Sequence, residues 1–223
     1  MSQTTDAPTT GNFIDGAWRP AASGATFVSR NPADERDIVG HFAASDASDV
    51  AAAVAAAYRA FPAWRATPAP RRGEILYRFA SILADNKERM ARHMTREMGK
   101  VLDEARGDVQ EAIDIAFLMA GEGRRMFGDT TPSELPDKWA LSMREPIGVA
   151  GLITPWNFPM AIPMWKAMPA LVTGNTIVLK PSELTPLTSL LFAEAAQRAG
   201  MPDGVVNVVT GTGPIAGAHL VAH

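Results

Sequence analysis

The 223-residue chain contains no cysteine. That excludes a disulfide framework, a thiolate metal site and any thiol nucleophile supplied by the chain itself. There is no excess of basic residues; the formal charge is −3, which offers nucleic acid no attractive field. No apolar run reaches the roughly 20 residues that span a bilayer, so no membrane partner is expected. The opening stretch MSQTTDAPTTGN has no basic start and no apolar segment, and does not read as a secretory signal. Residues 1–12 read as a flexible tail and the chain as a cytoplasmic protein. Histidine is scarce, at 4 residues. His219 and His223 stand at i, i+4, but no third ligand is near in sequence, so no metal site is expected. Paired carboxylates of the glycosidase kind are also missing, and Glu97, Glu104 and Glu111 read as helix-surface charges.

What is present is ordinary for a globular domain, with 47% hydrophobic and 20% charged residues. Phe13-Ile14-Asp15-Gly16-Ala17-Trp18 carries an Asp-Gly hairpin signal. Ala25–Val28 and Asp37–Phe42 read as further strands around a turn at Asn31-Pro32, giving a small antiparallel element. Helices follow. Asp46 is the N-cap candidate of the first, with Asp49 in its first turn. Val50, Val54, Ala57, Tyr58 and Phe61 form its inward face, and Pro62 is expected to end it. Pro70 starts a second helix with Ile75, Phe79, Ile82, Leu83 and Met90 inward, and Gly99 stops it. A third, from about Val101, turns Val109, Ile113, Ala116, Phe117 and Ala120 inward. Residues 128–140, rich in Thr, Pro, Ser, Gly and Asp, read as a linker or exposed arm.

The pattern then changes. Ile147–Ile153, Thr176–Lys180 and Val205–Val209 are short Val/Ile-rich runs at equal spacing, with helical segments near 160–173 and 187–199 between them. Strand–helix–strand units of about thirty residues mark a parallel sheet buried on both faces. A further helix is expected after Pro214. The last residues carry no helix stop signal. The chain therefore reads as cut off, with three parallel strands leaving a raw sheet edge after Val209.

In open parallel sheets, ligands bind at the carboxyl ends of the strands. Three loops qualify: 154–159, 180–186 and 210–214. Asn157 follows a strand in a loop stiffened by Pro155 and Pro159; its amide suits a developing oxyanion, or else bonds its own turn. Lys180 and Glu183 suit ribose hydroxyls, or else are a solvated lysine and a helix-start carboxylate. Gly211, Gly213 and Gly217 follow a strand and open a helix, but their G-x-G-x-x-x-G spacing is not the dinucleotide fingerprint. Trp156, Phe158 and Trp165 suit a channel lining or a core.

Together these residues resemble the aldehyde dehydrogenase superfamily. The resemblance rests on Thr154-Pro155-Trp156-Asn157-Phe158-Pro159 and on Gly174-Asn175-Thr176-Ile177-Val178-Leu179-Lys180-Pro181-Ser182-Glu183. It extends to Ile14-Asp15-Gly16-Ala17-Trp18, Glu97-Met98-Gly99-Lys100, Glu145-Pro146-Ile147-Gly148-Val149 and Pro169-Ala170-Leu171. It implies an α/β fold with an incomplete Rossmann-like parallel sheet, N-terminal helices and a small antiparallel oligomerisation arm. The implied activity is oxidation of an aldehyde, with NAD or alternatively NADP as acceptor, by thiolate attack, hydride transfer and thioester hydrolysis. Asn157 would supply the side-chain half of the oxyanion hole, and Lys166 would sit near the active site. Ile153, Thr154, Pro155 and Trp156 would line the nicotinamide cofactor. Lys180, Ser182 and Glu183 would hold the adenosine ribose, and Gly213 and Gly217 would pack near adenine and pyrophosphate. Phe158 and Trp165 would line the substrate tunnel.

By the same resemblance, 13–127 and 150–223 belong to the NAD(P)-binding domain, and 128–149 is the arm that pairs subunits into a homodimer or homotetramer. The cysteine nucleophile, the general base and the catalytic domain of the family are absent from the chain. The expectation is thus a truncated, inactive N-terminal part of the enzyme. The alternative is a non-catalytic nucleotide-binding or interaction fragment, and the coding sequence beyond His223 discriminates the two. Ala161–Lys166 and Met119–Arg125 are similar to bacterial semialdehyde dehydrogenases acting on carboxylated substrates.

Overall fold

The computed structural model describes residues 9–223. In chain order the strands and helices begin with β1 (Thr9–Thr10), β2 (Asn12–Ile14), β3 (Ala17–Arg19), β4 (Thr26–Asn31) and β5 (Asp34–Ala43). Four helices follow: α1 (Ala47–Ala66), α2 (Ala69–Asp85), α3 (Lys87–Met98) and α4 (Leu102–Glu122). A hairpin of β6 (Thr130–Pro132) and β7 (Trp139–Leu141) separates them from β8 (Val149–Ile153), α5 (Ala161–Val172), β9 (Thr176–Lys180), α6 (Pro186–Arg198) and β10 (Val206–Val208). A single π-helical turn, Gly213–Gly217, leads into α7 (Ala218–Val221).

The three expected parallel strands are present, and β8 and β9 run in register from Val149 opposite Thr176 to Ile153 opposite Lys180. Helices cover both faces. Along β9, Ile177 and Leu179 enter a core shared with α2 to α6, while Val178 packs among Val50, Val54 and Ala57 of α1 and Leu220 of α7. This alternation is why every residue of β9 is buried.

The raw edge lies elsewhere than expected. β10 is not the edge: β2 pairs with it antiparallel, Phe13 opposite Val208, and β3 extends the sheet to the order β3-β2-β10-β9-β8. Among the described residues the unpaired edge with a parallel neighbour is β8, where Gly151 and Ile153 are exposed. The Asp15-Gly16 turn does form, with φ of 55° and 74° at its two residues, as a two-residue hairpin requires. The segment 13–45 is therefore two pieces, since β4 and β5 form a separate sheet with β1. Residues 9–12, read as part of a flexible tail, are held by the fold. Thr9–Thr10 pairs with β5 and Asn12 is fully buried, while residues 1–8 lie outside the described residues.

Asp46 caps α1 as expected, accepting from the amides of Ser48 and Asp49 while the Asp49 carboxylate accepts from the Asp46 amide at 3.1 Å. Pro62 does not end the helix. It sits on the exposed side, and α1 continues one more turn to bury Trp64, whose indole donates to the Leu171 carbonyl at 3.1 Å. That tertiary contact outweighs the lost backbone bond. Tyr58 and Phe117, expected inward, are 61% and 37% exposed because each falls at the rim of its helix's buried stripe. The helix expected from Pro70 through Met90 breaks at Asn86, whose side chain donates back to the Ile82 carbonyl at 2.8 Å. Gly99 stops α3 in the left-handed region, with φ 78°. Among the described residues no helix is long and apolar enough to cross a membrane.

Candidate functional site

The carboxyl ends of β8, β9 and β10 lie side by side, so the three loops leaving them meet at one edge of the sheet. The Thr154 amide donates to the Lys180 carbonyl at 3.2 Å, extending the ladder one residue past β8. Lys180 crosses to the third loop: its Nζ donates to the Gly211 carbonyl at 2.9 Å and lies 3.6 Å from Glu183 Oε2. At 2% exposure it is not a solvated lysine. Burial lowers its ammonium below the ordinary lysine range, and Glu183 opposes that shift. The stem of Lys180 lies against Gly217, where an added Cβ would come 3.5 Å from Lys180 Cδ.

Gly211 has φ 142°, and an added Cβ would press against Ala216 and the Ser45 backbone, so this turn requires glycine. Gly213, by contrast, faces open space. The Glu183 carboxylate, 38% exposed, and Trp156, 50% exposed, border a cleft of about 310 Å³ that also takes in Val28, Ser29, Glu97 and Thr185. Ser182 turns inward on its own loop, its Oγ accepting from the Leu184 amide at 3.2 Å. Thr154 keeps a buried hydroxyl with no partner among the described residues.

Asn157 is exposed, and among the described residues no hydrogen bond engages its side-chain amide. It does not close an Asx turn of the kind Asn31 makes with the Ala33 amide. Phe158 and Trp165 stack, with ring centroids 6.3 Å apart and planes at 26°. Lys166 is exposed beside Trp165 on α5. Pro155 and Ile153 are exposed at the strand exit, Ile153 by 42%. The structure thus brings 153–156 together with 180–183 and 211–217, and Lys166 follows Trp165 on α5, the residue that stacks on Phe158 of the first loop.

Three polar residues at this edge are not surface charges. Glu97 is 2% exposed. It accepts from the amides of Leu187 and Thr188, at 2.6 and 2.9 Å, and from the Thr188 hydroxyl at 2.7 Å, capping the start of α6. Burial pushes its carboxyl up to about 7, against the pull of those three donors. Lys100 and Asp108 form a buried ion pair at 3.0 Å. The available signal was helical spacing: Met90, Met94 and Glu97 share one stripe of α3, and Ala105, Asp108 and Ala112 share one of α4.

A parallel sheet covered on both faces, with a cleft bordered by a carboxylate and an exposed amide at its strand exits, is the kind of place where open α/β folds bind ligands. The pattern described as "Aldehyde dehydrogenase family" matches residues 18–223, and the chain belongs to that family. It is 46% identical to an alpha-ketoglutaric semialdehyde dehydrogenase of Bacillus subtilis (strain 168), over 100% of this chain and 46% of that protein. It is 43% identical to a succinate-semialdehyde dehydrogenase [NADP(+)] of Escherichia coli (strain K12), over 95% of this chain and 44% of that protein. The solved structure of PnpE in complex with nicotinamide adenine dinucleotide superposes with a TM-score of 0.92 at 39% identity, covering 96% of this chain and 44% of that one. The chain spans less than half the length of these curated relatives.

Proposed function

We propose that this chain is the dinucleotide-binding segment of an NAD(P)-dependent aldehyde dehydrogenase acting on a carboxylated semialdehyde. The observation that carries the reading is the convergence of Asn157, Lys180 and Glu183 on one sheet edge, each with unused hydrogen-bonding capacity or a partner shared between loops. The residues fit the cofactor. Among the described residues the Glu183 carboxylate meets the Lys180 ammonium alone, at 3.6 Å, and keeps lone pairs for two ribose hydroxyls. Gly213 leaves space for close backbone approach, and Ile153 and Trp156 present apolar surface at the strand exit. Lys180 serves as the tie that holds the Gly211 loop against β9, and Ser182 shapes the turn that presents Glu183.

A nicotinamide dinucleotide held by Glu183 and the strand-exit loops would supply a hydride acceptor. The chain's own contribution to that reaction is orientation of the nucleotide and a donor for the substrate oxygen: the Asn157 amide is free to stabilise an oxyanion as charge develops. The chain holds no cysteine, so a thiol nucleophile would come from polypeptide outside it. The semialdehyde class is supported by the two relatives, which are an alpha-ketoglutaric semialdehyde dehydrogenase and a succinate-semialdehyde dehydrogenase. The exposed β6–β7 hairpin, within 128–149, is the segment we assign to subunit pairing, and 13–127 with 150–223 to the nucleotide-binding domain. A negative Glu183 opposes a 2′-phosphate, so NAD is the favoured cofactor, although the E. coli relative is named for NADP.

The test is steady-state kinetics of Asn157→Ala in the whole protein that carries this chain. Loss of one oxyanion donor should lower kcat by about 100- to 1000-fold while cofactor affinity stays nearly unchanged. A fall of less than about tenfold would return Asn157 to a purely structural role.

A further inference from the structure

Lys100 follows the left-handed turn at Gly99 and points back toward the exit of β8. Its ammonium makes three contacts at once. It donates to Asp108 Oδ2 at 3.0 Å and to the Asn157 backbone carbonyl at 2.8 Å, and it lies 4.0 Å from the centre of the Phe158 ring. Asp108, wholly buried on α4, uses its other oxygen to accept the amide of Ala161, the first residue of α5, at 2.8 Å. The two side chains therefore grip both ends of segment 157–161.

A nearly dry ion pair is a poor way to stabilise a core, because desolvation offsets most of its attraction and apolar side chains would fill the same space well. What it supplies is direction. Charge-assisted bonds are short and orienting, and both of these end on the backbone of the loop that carries Asn157. The Phe158 ring beneath the ammonium adds a cation–π contact on the same loop.

We propose that Lys100 is a positioning residue for Asn157. Anchored by Asp108, it fixes the Asn157 carbonyl and so aims that residue's side-chain amide at the reacting oxygen. The functional part of this inference rests on the oxyanion role proposed above for Asn157.

Three variants separate positioning from stability. Lys100→Met removes the donor. Lys100→Met with Asp108→Asn also removes the unpaired buried charge, yet keeps an acceptor for the Ala161 amide. Lys100→Arg retains a cationic donor. Amide hydrogen exchange on the 223-residue chain reads residues 154–162 directly, and kinetics on the whole protein reads the reaction.

In the double variant, exchange over 154–162 should rise by about tenfold, with exchange in β9 unchanged. Its kcat should fall by about 10- to 100-fold while the cofactor KM moves less than about twofold. Lys100→Arg should recover most of kcat. Unchanged exchange over 154–162 in both Met variants overturns the clamp, whether or not the protein oxidises aldehydes. An active wild type whose double variant keeps its kcat overturns the positioning role. An inactive wild type overturns the oxyanion reading of Asn157 and the role built on it, while faster exchange would still establish the clamp.

Discussion

At the residue scale, the site combines groups that sequence pattern exposes with groups it hides. Asn157 and Glu183 can be picked out as candidates in the sequence because they follow strand runs in loops punctuated by proline. Glu97, Lys100 and Asp108 are charged, and charge argues for the surface until the inward spacing of their helices is weighed against it. Their burial depends on partners far away in the chain, such as the amides of Leu187 and Thr188 for Glu97 and the Asn157 carbonyl for Lys100. Glu97 also has a measurable signature. With burial pushing its carboxyl from the ordinary 4.5 up to about 7, the folded protein holds this proton more tightly than the unfolded chain does. Stability should therefore fall as pH rises from about 4.5 to about 7 and level off above that. Glu97→Gln should abolish this slope. Thermal unfolding of both proteins at about pH 5 and about pH 8 checks it, and parallel slopes would contradict it.

At the scale of elements, local rules account for most of what forms. The Asp15-Gly16 hairpin, the Asp46 capping box, the Gly99 stop and the spacing of β8, β9 and β10 all rest on short-range chemistry. Two of the misreadings come from long-range packing, whereas the helix break at Asn86 is local, made by its side chain bonding back to the Ile82 carbonyl. β2 pairs with β10 across almost the whole chain, and no local signal at Phe13 announces Val208 as its partner. Pro62 fails to end α1 because Trp64, two residues on, is buried against the end of α5. This makes α1 a case where proline works against its own helix. Pro62→Ala restores a donor to the ladder and should raise stability by about 1–3 kcal/mol in chemical denaturation. A loss of stability would mean that the proline ring shapes the last turn of α1 in a way its exposure does not reveal.

At the scale of the whole molecule, two surfaces stand out. β8 offers an unpaired edge beside exposed Ile153, and the β6–β7 hairpin carries Trp139 at 79% and Leu141 at 65% exposure. Unpaired strands and contiguous apolar surface drive association. The 223-residue chain should accordingly self-associate as its concentration rises, and Trp139→Ser with Leu141→Ser should increase its monomer fraction. Size-exclusion chromatography with light scattering reads this, and a strictly monomeric wild-type chain would contradict it.

The central claim is that the strand exits of this sheet bind a nicotinamide dinucleotide through its adenosine ribose. Calorimetric titration of the chain with NAD and with NADP, in wild type and Glu183→Ala, tests it most directly. The wild type is expected to bind NAD more tightly than NADP, and Glu183→Ala to weaken NAD by about tenfold while narrowing the difference between the two cofactors. Binding of NADP more tightly than NAD by the wild type, or NAD binding indifferent to the loss of Glu183, would contradict it.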